Sequence, residues 1–495
     1  MLKRFIRDML TYMPSLFLPA LTAFITTPIL TRLFPPADYG YWALALSVSS
    51  FLVGLAVSGF GSAVIRFYPA YKAKSTLNIF FPTLVVSGGS VITVVAAVSS
   101  LILLLFKKYI PLALYPLLPI VIMIFIAQSI YTVFLSLIRA QGRSGSFTSF
   151  QLLLNYGSLG IGLLLVVGFG FRVEGLLWGN FVILVLMLPF LIFRAIKGVD
   201  IHPQHFHLPD ALQIWQYAWP LTLASVAMWG LRVSDLFIIS LFRPEREVGL
   251  YSVSYSISAK SIEILVSLSL LSMSPLIYGT WESEGREATE KTVTKFTRVY
   301  LILCLPAAVG LSVLAFPFVA LLTAPDYHEG SRIVGFVVFS SFVWGLSDYA
   351  MLGLAIKQRA GRLGANVFIA ACVHVGLQLL LVPRFGYVAS AISTLVGYTV
   401  LLVLHILASR PHLTWQFPFS TLRNVMAASV VMGVVAWGIY RLSGAGNKGS
   451  PVYLFLSIVV AVLTYIVGLW CLGEVNKEEK LAVVHLFYRV TGKKA

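Results

Sequence analysis

Val91-Ile92-Thr93-Val94-Val95-Ala96-Ala97-Val98-Ser99-Ser100-Leu101-Ile102-Leu103-Leu104-Leu105-Phe106 contains no charge and no alternation of apolar with polar positions. A barrel strand alternates with a period of two over about ten residues, so this run reads as part of a membrane-spanning helix. Similar runs of roughly 18 to 25 residues recur along the whole chain. Of its 495 residues 58% are hydrophobic and 11% charged, with a mean hydropathy of +0.89. Soluble domains are about a quarter charged. At about 20 residues per crossing and about 15 per connection, the length accommodates about fourteen transmembrane helices. The fold class is therefore an all-α polytopic membrane protein, with little chain left for a catalytic head.

Direction follows from the basic residues. With fourteen spans, 24 of the 36 Lys and Arg fall on the side of the N-terminus, 10 on the other side, and Arg232 and Lys260 within spans. By the positive-inside rule both termini are expected to be cytoplasmic. The net charge of +17 thus marks topology and anionic headgroups and gives no reason to expect a nucleic-acid partner. The basic stretch Met1 to Leu10 precedes an apolar run too long for a signal peptide and reads as the flank of a retained first helix. Leu481, Val484, Leu486 and Phe487, interleaved with lysines, read as an interfacial tail helix.

The chain also repeats. Ala37-Asp38-Tyr39-Gly40-Tyr41-Trp42 matches Arg246-Glu247-Val248-Gly249-Leu250-Tyr251 at an offset of 209. Gly142-Arg143 matches Gly361-Arg362 at 219, and Phe169-Gly170-Phe171 matches Phe385-Gly386-Tyr387 at 216. Each offset equals six spans, an even number, so the halves enter the membrane in the same direction. The expected architecture is a pair of pseudo-symmetric six-helix bundles, 1–200 and 213–410, joined by a linker at 201–212. Two further helices at 411–473 and an amphipathic cytoplasmic tail at 474–495 complete it. Bundles related in this way enclose a substrate site at their interface, which makes transport the leading class.

Leu30-Thr31-Arg32-Leu33-Phe34-Pro35-Pro36-Ala37-Asp38-Tyr39-Gly40-Tyr41, followed by Gly59-Phe60-Gly61-Ser62-Ala63-Val64-Ile65-Arg66-Phe67, resembles the N-terminal signature of the bacterial polysaccharide flippases. These are the O-antigen and exopolysaccharide translocases of the multidrug and oligosaccharidyl-lipid exporter superfamily. Val233-Ser234-Asp235 with Glu247-Val248-Gly249-Leu250-Tyr251-Ser252 resembles the same family's aspartate and glycine-aromatic turn. The resemblance implies translocation of undecaprenyl-diphosphate-linked oligosaccharide from the cytoplasmic to the periplasmic leaflet of the bacterial inner membrane. It implies a role in exopolysaccharide or lipopolysaccharide assembly, beside a polysaccharide polymerase and other assembly proteins. A cation-coupled drug exporter of the superfamily is the alternative. A membrane glycosyltransferase or polymerase is a more distant one, because it would need a substantial extracytoplasmic loop.

Candidate residues come from charges placed inside apolar runs, each costing about 2.5–3.5 kcal/mol if it faced lipid. Arg232 with Asp235 and Lys260 with Glu263 are spaced i, i+3, so each pair can neutralise itself along one helix face. Alternatively both pairs and Asp348 line a hydrated cavity. There Arg232 and Lys260 would meet a diphosphate, and Asp235, Glu263 and Asp348 would couple transport to a Na+ or H+ gradient. Arg66, Arg139 and Lys357 sit at cytoplasmic span ends, either as anchors or to capture an incoming headgroup. His374 reads as a hydrogen-bonded core residue, and Asn155 and Gln151 as helix-joining or sugar-binding amides. His202, His205 and His207 have a spacing open to a metal, but the flanking prolines favour an irregular linker and no metal site is expected. The chain contains no GxxxxGK[ST] loop, so no nucleotide cofactor is expected. Energy is expected from an ion gradient, the membrane potential or consumption of product.

Overall fold

The computed structural model describes residues 22–105, 108, 114–198, 202–442 and 451–474, and all regular structure among them is helical. The start of the first span and the tail beyond residue 474 lie outside the described residues. Helix α1 (22–33) leads to α2 (Pro36–Ala73), α3 (Leu77–Leu105), α4 (Leu117–Ala140), α5 (Ser144–Leu163), α6 (Glu174–Ile196) and α7 (Leu208–Phe242). There follow α8 (Glu245–Val313), α9 (Ala315–Leu322), α10 (Val334–Ala350), α11 (Leu352–Ile356), α12 (Ala360–Phe385), α13 (Tyr387–Ser409), α14 (Phe419–Leu442) and α15 (Pro451–Cys471).

Twelve segments among the described residues are long and apolar enough to cross a membrane, and the protein is a multi-pass integral membrane protein. Helix α8 has 69 residues, about 100 Å at 1.5 Å per residue, over three times the hydrocarbon thickness. It breaks at Gly285, whose φ of 79° and ψ of −162° fall in a region essentially reserved for glycine. The break sits among Glu282, Glu284, Arg286 and Glu287, which cannot remain in hydrocarbon. Helix α8 is therefore two crossings joined by a polar elbow. With that division the described residues hold thirteen candidate crossings, and of the first expected span they hold only 22–33.

The chain groups into two compact units, Met1–Ile257 with Gly364–Gly397, and Ser258–Leu363 with Tyr398–Ala495. In the first, α2 packs on α4 and α7, α4 on α6, and α6 on α5. Val57, Phe60, Phe81, Phe125 and Leu137 are fully buried at their centre. Outward-facing Val94, Val98, Leu101 and Leu104 on α3 are exposed; lipid is as apolar as they are, so their exposure costs nothing.

The internal repeat is visible in backbone contacts. The N–H groups of Gln141, Gly142 and Arg143 donate to Leu137, Arg139 and Ile138; those of Lys357, Gln358 and Arg359 donate to Gly353, Ala355 and Leu354. Both are Schellman closures with a left-handed residue, Gly142 at φ 71° and Gln358 at φ 53°. The offset is 216, as for Gly170 and Gly386. Arg143 thus corresponds to Arg359, three residues before the Arg362 of the Gly361-Arg362 motif match.

The first turns of α2 and α8, which carry the other repeated motif, pack on each other. A Cβ on Gly249 would lie 1.8 Å from the Pro36 carbonyl oxygen, and one on Gly40 would lie 2.5 Å from that of Glu245. Each motif's carboxylate then reaches the second repeated turn. Asp38 meets Arg172 at 3.4 Å, and Glu247 accepts from Arg243 Nε at 2.9 Å and from the Tyr387 N–H at 3.0 Å.

In the second unit α14 packs on α15. Past the end of α15, Glu474 accepts from Arg298 Nε at 3.0 Å, Thr421 Oγ1 at 2.5 Å and Asn424 Nδ2 at 3.1 Å. Burial alone would raise its pKa, but the hydrogen bonds from Thr421, Arg298 and Asn424 hold it below the ordinary value. A carboxylate lowered on folding contributes stability above its unfolded pKa of about 4.3, and that contribution is lost as pH falls through the folded value. Glu474→Ala removes the side-chain hydrogen bonds from Arg298, Thr421 and Asn424 and is expected to cost about 1–3 kcal/mol at neutral pH. Thermal melts of the detergent-solubilised protein would check this: wild type should lose its advantage through the acidic range while the variant stays flat.

Candidate functional site

Asp235 is the most buried of the candidate charges, at 1% exposure. It lies in the last third of α7, and two neighbouring helices each present an i, i+4 pair to it. From α13, Ser390 Oγ and Thr394 Oγ1 donate to Asp235 Oδ1 at 2.8 and 3.2 Å. From α12, the Gln378 amide donates to the same oxygen, and His374 Nε2 stands 3.3 Å from it. Gln378 Nε2 also lies 2.6 Å from His374 Nε2. His374 and Gln378 are wholly buried, and Tyr251 of α8 lies against the group. Every one of these residues belongs to the first unit.

The arrangement can hold a proton in two ways. With Asp235 ionised, the Gln378 amide donates one hydrogen to the carboxylate and the other to His374 Nε2. The imidazole then carries its own proton on Nδ1, which is buried with no hydrogen-bond partner. If Nε2 gains a proton, it faces the amide N–H, and the amide must turn to offer Oε1, which is also buried without a partner. That turn removes a donor from Asp235, and the imidazolium N–H takes its place. One added proton therefore rearranges contacts between α7 and α12. The ring about Asp235 is made of N–H and O–H donors with no second carboxylate, an environment suited to a proton more than to a metal cation.

The other candidates are divided between the two units. Arg66, Arg139 and Arg232 are exposed in the first unit, the Arg139 guanidinium lying 5.9 Å from the Phe147 ring centroid. In the second unit Lys260 and Glu263 form the expected i, i+3 pair at 2.5 Å. Lys357 lies 5.0 Å from the Trp281 centroid, and Asp348 is half-buried beside Tyr349. The His202 and His205 rings meet edge-on 6.0 Å apart, and His207 Nδ1 lies 3.2 Å from Asp210. Among the described residues no three His, Cys, Asp or Glu are grouped to hold a metal ion.

Sequence reasoning picked out Asp235 and placed His374 in a hydrogen-bonded core, but it did not bring them together and it missed Gln378, Ser390 and Thr394. A buried histidine and glutamine at i, i+4 in an apolar run was the available signal. The second unit also carries an apolar groove of about 410 Å³ between the second arm of α8, α9, α14 and α15, lined by Leu303, Pro306, Phe318, Met432 and Leu454. Sequence assigned its two last helices no role.

A family model described as polysaccharide biosynthesis protein matches residues 29–332. In Haloferax volcanii the probable low-salt glycan biosynthesis flippase Agl15 is 20% identical over 52% of this chain and 53% of its own length. The probable flippase AglR of the same organism is 25% identical over 47% and 48%. The chain thus spans about half the length of these curated relatives. Among solved structures, lipid II flippase MurJ in an inward closed conformation superimposes with a TM-score of 0.76 at 14% identity, over 98% of this chain and all of that one. An inward-facing multidrug resistance MATE transporter gives 0.62 at 14% identity, over 79% and 94%. At these identities the likeness is one of fold.

Proposed function

The chain belongs to the polysaccharide biosynthesis protein family, and from that premise we propose that it is a flippase carrying a lipid-linked oligosaccharide across the cytoplasmic membrane by alternating access. Undecaprenyl diphosphate is the carrier we infer, and a polysaccharide polymerase is among the partners expected to consume the product. The observation that supports the reading is the buried, hydrogen-bonded Asp235–His374–Gln378 cluster, ionisable groups kept inside a membrane-embedded fold where they are costly. The apolar groove beside α14 and α15 suits an isoprenoid tail, while the exposed Arg66, Arg139 and Arg232 suit a diphosphate. Proton uptake at His374 is the coupling step this geometry favours over sodium. The protein translocates and does not transform its cargo. The basic residues on the terminal side support cytoplasmic termini.

Deleting the gene is expected to accumulate one lipid-linked glycan in the inner leaflet, and the wild-type gene should restore its export. A glycan that never assembles, rather than one that assembles and stays inside, would instead indicate a transferase. Sidedness has its own check: a C-terminal alkaline phosphatase fusion is expected to be inactive, and an active one would overturn the fourteen-span topology.

A further inference from the structure

A second polar site lies in the first unit, and its lining shares no residue with the group around Asp235. A cavity of about 280 Å³ is lined by α1, α2, α5, α6 and the first arm of α8, and its polar lining is built of neutral side chains. Asn155, Ser158, Asn180, Thr26 and Ser256 supply amides and hydroxyls, Trp42 supplies an indole, and among the described residues no Lys, Arg, Asp or Glu reaches the lining. Two of these groups are unfinished: Asn180 Oδ1 and Thr26 Oγ1 are buried without a hydrogen-bond partner. Orphaned polar atoms on a cavity wall mark a place where a ligand or ordered water completes the set.

The chemistry of the lining narrows the ligand. Without a cationic group it cannot favour phosphate, and without a carboxylate it offers a cation little compensation for its lost hydration. Amides and hydroxyls that both donate and accept, beside the apolar faces of Trp42, Leu30 and Leu159, match a pyranose, whose hydroxyls ring an apolar C–H face. The volume lies just under the ~300–1,000 Å³ range of small-ligand sites, enough for one sugar ring and too little for an oligosaccharide. We propose that this cavity is a subsite for one neutral sugar residue, so that the first unit reads the glycan while other residues handle the charged carrier. This rests on the flippase reading. It adds that cargo is selected by a neutral monosaccharide unit, and that Asn155, which sequence left between helix joining and sugar binding, takes the second role.

The test uses purified full-length protein in lipid nanodiscs with methyl glycosides of glucose, galactose, mannose, rhamnose and N-acetylglucosamine, followed by saturation-transfer NMR. So few contacts predict millimolar affinity. At least one glycoside is expected to receive saturation. Asn180→Leu and, as a milder variant, Thr26→Val are each expected to weaken its affinity about tenfold, the loss of one buried hydrogen bond. Both must retain the wild-type melting profile, and if Asn180→Leu does not, Thr26→Val with Asn155→Leu decides. No transfer to any glycoside, or equal transfer to wild type and folded variants, would overturn the subsite and leave only a water-filled cavity. Export in the deletion strain separates the two ideas. Restored export with no glycoside binding removes the subsite alone, whereas failure to restore any export removes the flippase reading and leaves glycoside binding to be judged by the NMR result itself.

Discussion

Asp235→Asn should give a protein that inserts and folds at least as well as wild type and exports almost nothing. The carboxylate is desolvated by α7, α12 and α13 and held by neutral donors. Such a charge is kept at a cost, and a neutral isostere removes it while retaining one acceptor oxygen for Ser390 and Thr394. Stability should be unchanged or rise by about 1–2 kcal/mol. Under the proposed proton coupling transport has no such relief, because a neutral amide cannot stabilise an imidazolium at His374. Export below about one-hundredth of wild type is expected, within the range lost with a positioned proton-transfer group. Measuring export and melting temperature in the same strain checks both halves. Normal export would make the cluster a helix clamp only; lost export with a collapsed melting temperature would point to folding.

The contrast between Asp235 and its neighbours shows how far a sequence can be read. An aspartate in an apolar run announces itself, since hydrocarbon tolerates it only with a partner. Ser390 and Thr394 do not, because a hydroxyl in a helix can always return to its own backbone, as Thr394 does to the Ser390 carbonyl at 3.0 Å. Only the side-by-side placement of α12 and α13 turns them toward the carboxylate. The self-neutralising i, i+3 arrangement describes Lys260 and Glu263 well, since both lie on one helix and spacing alone determines their meeting. For Asp235 the spacing along α7 tells only part, since hydrogen bonds also reach it from helices some 140 to 160 residues further along the chain. The fold was more legible than the site. Span number follows from hydropathy, which is local, and the repeat from motifs that recur wherever the chain turns. Its register at Gly361 was obscured because a left-handed turn can be closed by Gln358, at modest strain, as well as by glycine.

Gly249→Ala carries the other large expected effect, because it strikes the contact the repeat builds. The two motif glycines exist to let α2 and α8 touch at their first turns. A methyl group on Gly249 would fall 1.8 Å from the Pro36 oxygen, a clash with rigid backbone that no rotamer relieves. The ends of α2 and α8 must then part, at a cost of about 1–3 kcal/mol. Under the proposed alternating-access cycle, a seam held apart is expected to bias the protein toward one state, so the variant should lose at least about tenfold in export. Spin labels on cysteines introduced at Ala37 and Arg246, with Cys304, Cys372 and Cys471 replaced by alanine, should report a longer separation in Gly249→Ala than in its parent. Gly54→Ala is the control. It lies on α2 where an added Cβ meets nothing within 4 Å, so it should keep the parent's spacing and export and gain up to about 1 kcal/mol from helix propensity. Unchanged spacing with normal export in Gly249→Ala would show that the seam yields without consequence and is not a gate; lengthened spacing with normal export would show that closure is not required for transport.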